Sequence, residues 1–239
     1  PLYFLDYIST GKISPIIDQI MEGIIKGCDI TEMDLLGGET AEHPRPAPPP
    51  AHDDDIDLAG FCTGIVEESQ IIDGRLIKPG DKVIGIESSG LHSNGYTLIN
   101  DMLWRHRLFY DKGYDDTLGD PSATPELLTP TTIYAPLVKH LLGEVPILGM
   151  AHITGGGIPE NLPRCLPKGI TAEVNYNSWN MPEIFSKIML AGEIPEEEMK
   201  SVFNLGIGYC VVVPDESVID TQLIIEGHGL QSWVIAETK

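Results

Sequence analysis

The sequence predicts a mixed α/β protein of two domains, with helices layered on a sheet in the second. Three observations carry this reading. Apolar strand candidates alternate with helical patterns from about residue 82 onwards. A turn-forming run, Lys78-Pro79-Gly80-Asp81, separates that part from a front stretch of different texture. The 239 residues, 42% of them hydrophobic, are enough for one large domain or two small ones with real cores. The expected domains are 1–77 and 78–239.

Each element follows from its local pattern. The chain opens on the apolar stretch Leu2-Tyr3-Phe4-Leu5, which leads into a lone acid, Asp6. A carboxylate there calls for a hydrogen bond or a metal. Ser14-Pro15 followed by Ile16, Ile17, Ile20, Met21, Ile24 and Ile25 predicts a helix capped by Ser14 and ended by Gly27. Met33 to Leu36 is a strand candidate running into the loop-like Gly37-Gly38-Glu39-Thr40. From Ala41 to Asp55, five prolines and Asp53-Asp54-Asp55 predict a mobile loop. Leu58 to Val66 reads as a strand. Asp73-Gly74 reads as a hairpin turn between Ile71-Ile72 and Leu76-Ile77.

Beyond the boundary, Val83 to Ile86 is a strand, Ser88 to Gly95 a polar loop and Tyr96 to Trp104 a helix. Thr129-Pro130-Thr131 opens a helix to about Leu142. Ile147 to Ala151 is a strand, followed by a glycine run and a short helix over Glu160 to Leu166. Pro182 to Ala191 and Pro195 to Val202 are helical, the latter with Glu196, Glu197 and Glu198 where a helix dipole favours acids. Tyr209 to Val213, Asp215 to Glu226 and Trp233 to Ala236 complete a strand–helix–strand ending.

Charge limits the partners. With 15 Lys+Arg against 36 Asp+Glu, the formal net is −21. That argues against nucleic acid and against an anionic membrane surface, both of which need clustered cations. It leaves room for a phosphorylated small molecule held by backbone N–H groups and a divalent cation. Fifteen of the acids and three of the bases fall within the first 73 residues, so the front third is densest in carboxylate. That density is read either as a solvated acidic face or as partly metal-linked.

The chain starts at Pro1 without a basic, then apolar, leader, which suggests a piece of a longer protein. Cys28, Cys62, Cys165 and Cys210 are widely spaced, and three of them adjoin apolar residues. Reduced, buried thiols and a cytoplasmic compartment are expected.

Three polar, glycine-bearing segments carry the candidate chemistry. Leu35 to Glu42 offers two glycines, a hydroxyl and the acids Glu39 and Glu42, which suit either a Mg²⁺ site or an ordinary turn. Glu87 to Tyr96 places Ser88, Ser89, Ser93, Asn94 and His92 before a helix. That composition suits an anion cradle with a titratable imidazole, or a helix cap beside a structural histidine. His152 to Arg164 holds Thr154, Gly155, Gly156, Gly157, Asn161 and Arg164. Three consecutive glycines are costly in entropy, so either an anion or a tight turn needs bare backbone there. No nucleotide-binding P-loop or dinucleotide fingerprint is present.

These segments, in this order, resemble the phosphoribosylformylglycinamidine cyclo-ligase (aminoimidazole ribonucleotide synthetase) family. The matching stretches are Pro1 to Lys12, Leu36 to Glu42, Asp57 to Gly64, Ser88 to Tyr96, Leu128 to Tyr134, His152 to Arg164 and Glu198 to Gly208. Single motifs are shared with relatives such as thiamine-monophosphate kinase and selenophosphate synthetase. The resemblance implies an ATP-dependent ligase of purine synthesis that closes an imidazole ring through a phosphorylated formamide. It implies a homodimer whose N-terminal sheets pair into a barrel, a C-terminal α/β sandwich, and ATP and Mg²⁺ as cofactors. It places His92 and His152 at the chemistry. It places Ser93, Asn94, Thr154, Gly155, Gly156, Gly157, Asn161, Arg164 and Asn204 at the substrate and its phosphate. Gly37, Gly38, Glu39 and Thr40 fall to the nucleotide, and Glu39 and Asp6 to metal. The family's upstream glycine-rich segment, with an Asp-Gly-Val-Gly-Thr-Lys motif, has no counterpart after Pro1, so the first domain is expected to be incomplete. Another ATP-dependent enzyme of the superfamily, or a non-catalytic fragment, is the alternative.

Overall fold

The computed structural model describes residues 1–43, 56–105 and 126–239. The Pro/Asp-rich loop expected after Glu42 lies almost wholly outside these residues. The chain divides into two compact units, Pro1–Ile71 and Ile72–Lys239.

The first unit is a three-stranded sheet carrying one long helix. Its strands are β1 (Tyr3–Thr10), β2 (Asp34–Glu42) and β3 (Ile56–Thr63), in the order β2-β1-β3. Helix α1 (Ile16–Thr31) links β1 to its parallel neighbour β2, as a crossover must. Asp6, Ile8 and Thr10 alternate onto one buried face of β1.

Four expectations for this unit need correction. Gly37 to Thr40 is strand, not loop, because it pairs with Leu5 to Ile8 of β1. Gly38 is required within that strand, since a methyl there would overlap the Asp6 carboxylate. Helix α1 runs through Gly27 and ends at Glu32 in the left-handed conformation (φ 57°). Ser14 makes no side-chain cap; its carbonyl instead accepts the Ile17 N–H at 3.1 Å. Cys28, not Cys62, is the buried thiol.

The second unit is a four-stranded antiparallel sheet of order β5-β6-β4-β7. Its strands are β4 (Lys82–Glu87), β5 (Gly149–His152), β6 (Ile207–Val213) and β7 (Ser232–Glu237). The helices are α2 (Tyr96–Arg105), α3 (Ala135–Glu144), α4 (Gly157–Asn161), α5 (Glu183–Ala191), α6 (Glu196–Val202) and α7 (Val218–Gly227). Alternation along β4 and β6 sends side chains to two cores. Ile84, Ile86, Val211 and Val213 meet Leu137 and Leu141 of α3 and Ile225 of α7. Val83, Cys210 and Val212 meet Ile158 and Leu162. A third cluster joins α2, α5 and α6 through Ile99, Phe185, Ile188 and Phe203.

Here too some boundaries move. Asp73-Gly74 forms a turn, with Ile77 N–H bonded to the Gly74 carbonyl at 3.0 Å, but no hairpin strands flank it. The helix expected from Thr129 begins at Ala135, because residues 129–134 are spent on side-chain and backbone contacts to the neighbouring loop. The short helix after the glycines starts earlier, at Gly157, and continues as a 3₁₀ turn over Leu162–Cys165.

Candidate functional site

The polar loops of the second unit leave the same ends of β4 and β5. The loop after β4 holds Ser88 to Gly95, and His92 sits in it at φ 60°, a conformation in which histidine is one of the commoner non-glycine residues. His92 is buried. Its Nε2 accepts the backbone N–H of Ser89 at 3.2 Å and of Thr132 at 3.5 Å. This network assigns the ring proton to Nδ1, which has no partner among the described residues. Burial first, and the nearby His152 second, lower the His92 pKa to about 4. The ring is therefore neutral near pH 7 and presents an unused N–H donor. The sequence allowed a titrating imidazole here; the geometry supplies a fixed donor instead.

His152 ends β5 opposite Tyr209 of β6, and their rings stack at 5.9 Å. Tyr134 closes the group, 6.1 Å from His152 and 6.0 Å from His92. The two histidine rings lie 6.4 Å apart. Desolvation by these rings also lowers the His152 pKa. Tyr134 donates its hydroxyl to the Glu87 carbonyl at 2.6 Å, and burial raises its pKa. Gly208 makes this arrangement possible: an added methyl would overlap both Tyr134 Oη and His92 Cε1.

The loop after β5 carries the three glycines, and each has its own reason. Gly156, at φ 92°, begins α4 in a conformation that a side chain strains. Gly157 lets α4 lie directly on the Lys200 carbonyl at the end of α6. Gly155 alone is exposed, and a Cβ there would sit 3.5 Å from Asn94 Oδ1. Thus Asn94 and Gly155, 61 positions apart in sequence, bring the two loops together. Ser93 lies at the loop's outer edge, its hydroxyl 3.0 Å from that of Thr131.

Two expected ligand-binding residues act on the loops themselves. Asn161 is buried and donates Nδ2 to the carbonyls of Gly155 and Gly157 at 3.1 and 2.7 Å, while its Oδ1 accepts the Thr154 hydroxyl. Asn204 donates Nδ2 to the Gly90 carbonyl at 2.8 Å and accepts from Ser88 Oγ and the Gly206 N–H. Both amides hold loop backbone in this structure, and Asn161 also lines one of the clefts.

Two clefts flank the histidines. One, of about 340 Å³, is lined by His92, Ser93, Tyr96 and Leu127 to Thr131. The other, of about 320 Å³, is lined by Gly74, His152, Asn161 and the exposed Arg164, among others. Arg164 thus lines one cleft and Ser93 the other. Tyr134, Tyr209, Thr131 and Gly208 were not singled out from sequence, because each reads there as ordinary strand or loop material.

In the first unit, Glu39 is exposed and its Oε1 accepts the Thr40 N–H at 3.0 Å. Strand register pairs Tyr7 with Glu39 and Asp6 with Gly38, so the carboxylates of Asp6 and Glu39 lie on opposite sheet faces. Among the described residues, no group of three or more His, Cys, Asp or Glu side chains is placed to hold a metal.

Residues 1–66 match the N-terminal domain of AIR synthase related protein, and residues 78–239 match its C-terminal domain. The chain is 48% identical over 244 residues to the phosphoribosylformylglycinamidine cyclo-ligase of Prochlorococcus marinus (strain MIT 9313), covering all of this chain and 68% of that protein. It is 49% identical over 240 residues to the same-named protein of Synechococcus sp. (strain CC9311), covering 98% and 67%. The chain thus spans about two thirds of the length of these relatives. In fold it is similar to thiamine-monophosphate kinase from Stenotrophomonas maltophilia K279a, with a TM-score of 0.66 at 15% identity over the whole chain and 69% of the kinase. It is equally similar to hydrogenase maturation protein HypE in complex with ATP, with a TM-score of 0.66 at 16% identity over the whole chain and 65% of HypE.

Proposed function

The chain belongs to the AIR synthase related family, and we propose that it carries out the cyclo-ligase reaction named for its relatives. In that reaction ATP transfers its γ-phosphoryl group to the formamide oxygen of formylglycinamidine ribonucleotide, and ADP departs. The amidine nitrogen then attacks the same carbon. A C–N bond forms, the C–O bond breaks, inorganic phosphate leaves, and 5-aminoimidazole ribonucleotide results. Such chemistry asks a protein for positioning and for donors to developing negative charge rather than for a covalent nucleophile.

The observation that carries this reading is the convergence at the strand ends of the second unit. His92 offers a buried, unpaired Nδ1–H beside His152, and Asn94 meets Gly155. A neutral imidazole donor suits an oxyanion or a phosphoryl oxygen without bringing a proton that the reaction must shed. Ser93, Asn94, Thr154 and the Gly155 backbone are proposed to hold the substrate's anionic end, with Arg164 reaching it from the neighbouring cleft. Asn161 and Asn204 fix those loops.

In the first unit, the exposed backbone of Gly37 and Gly38, with Glu39 and Thr40, is proposed to face the nucleotide. Magnesium is proposed to accompany ATP, with Glu39 and Asp6 as its proposed carboxylate ligands, on opposite faces of the sheet. The sheet face bearing Leu5, Tyr7 and Phe61 is largely apolar and open, which supports pairing with a second copy into a homodimer. The acidic charge supports a small-molecule substrate rather than nucleic acid or membrane, and a cytoplasmic setting is proposed. No described helix is long and apolar enough to cross a membrane.

The test is turnover. The enzyme carrying this sequence, given formylglycinamidine ribonucleotide, ATP and Mg²⁺, should yield ADP and 5-aminoimidazole ribonucleotide. Folded enzyme that forms neither product overturns the reading. His92→Asn, which tolerates the left-handed backbone but moves the donor, should lower kcat by about 10²-fold, the effect of losing one transition-state donor. Near-normal kcat would make His92 purely structural.

A further inference from the structure

Outside both clefts, on the helical layer formed by α3 and α7, two exposed imidazoles meet. His140 of α3 and His228, the residue capping the end of α7, bring Nδ1 and Nε2 to 3.0 Å. Their ring centroids are 5.2 Å apart, with planes tilted by 53°. Two imidazole nitrogens at that separation share one proton: one donates and the other accepts. A place where two nitrogens hold one proton between them is also a place where a metal ion can replace it.

We propose that His140 and His228 form a surface site for a borderline divalent transition ion of the Zn²⁺, Ni²⁺ or Cu²⁺ class. The geometry needs little adjustment. An ion about 2.1 Å from each nitrogen would subtend roughly 90° at the present spacing, and a tetrahedral angle needs the nitrogens only a few tenths of an ångström further apart. Imidazole selects these ions, whereas Mg²⁺ prefers oxygen, so the site is chemically separate from any nucleotide-bound magnesium. Among the described residues no third His, Cys, Asp or Glu is placed to join them, so water would complete the shell. The net charge of −21 raises the local concentration of any cation. Bound there, the ion would staple α3 to α7 across the outside of the core they cover.

Calorimetric titration of the whole protein with ZnCl₂, and separately NiCl₂, tests the site at pH 7.5 in a non-chelating buffer. The expected result is one ion per chain, with affinity at least tenfold weaker in both His140→Gln and His228→Gln and unchanged in His43→Gln. Both histidines are exposed, so neither variant threatens the fold, and this readout does not depend on turnover. The proposal is overturned by no binding at millimolar metal, or by unchanged binding in either variant.

Discussion

The two units use their sheets in opposite ways. In the second, β6 is buried along nearly its whole length, and helices cover the sheet on both sides. In the first, only one face of β1 is buried, seven of the eight residues of β3 are exposed, and α1 buries a single residue, Cys28. Apolar side chains are not scarce there; Leu5, Leu36, Leu58 and Phe61 are simply in the open. A sheet that finishes its own core can hold a precise polar site at its strand ends. A sheet that leaves one face uncovered is shaped to be completed from outside.

The sharpest way to break this comparison is to crowd the site of the closed unit. Gly208 sits in β6 beneath Tyr134 and His92, with no room for a methyl. Gly208→Ala should destabilise the protein by about 3 kcal/mol or more, because overpacking here must displace two rings that are themselves enclosed. Urea unfolding followed by tryptophan emission would measure it. A variant as stable as the parent would mean that the aromatic group is loosely held, and the contrast between the units would collapse.

A comparable effect should come from acid. The His92 pKa, about 4 in the fold, lies below the ~6.5 of an unfolded chain, so between those values the unfolded state binds more protons. The stability tied to keeping His92 neutral is complete above about pH 6.5 and is lost as pH falls towards 4, up to ~3 kcal/mol in all. His92→Asn removes the titrating group, so its stability should decline less over that interval. Parallel pH profiles for parent and variant would show that the acid response arises elsewhere.

The same contrast explains what the sequence could reveal. In the second unit, β4, β6, α2, α5 and α6 fall close to where local periodicity puts them, because their patterns answer to a core within the unit. The resemblance also singled out His92, Asn94, His152 and Gly155, which the fold gathers. The roles of Asn161 and Asn204 were not legible. An amide that will be consumed by backbone looks the same in sequence as one awaiting a ligand, and the Asn204 partner Gly90 is 114 residues away. In the first unit, Gly37-Gly38 reads as a loop because glycine usually disfavours strands; only the nearby Asp6 side chain, invisible in the linear pattern, makes Gly38 necessary. Asp6 and Glu39, each assigned to metal by the resemblance, project from opposite faces of the sheet, which only the strand register reveals.

The smallest expected effect has the opposite sign and probes the open unit. Gly23 lies in the middle of α1, and a methyl added there meets nothing within 4 Å. Glycine in a helix interior costs backbone entropy that alanine does not, so Gly23→Ala should stabilise the first unit by about 0.5–1 kcal/mol. Measured by thermal unfolding at several protein concentrations, the gain should be the same at each if that side of α1 faces solvent. A loss of stability, or a gain that vanishes as concentration rises, would mean that α1 and not the open sheet face is where another chain settles. The division between a closed unit and an open one would then have to be redrawn around the helix.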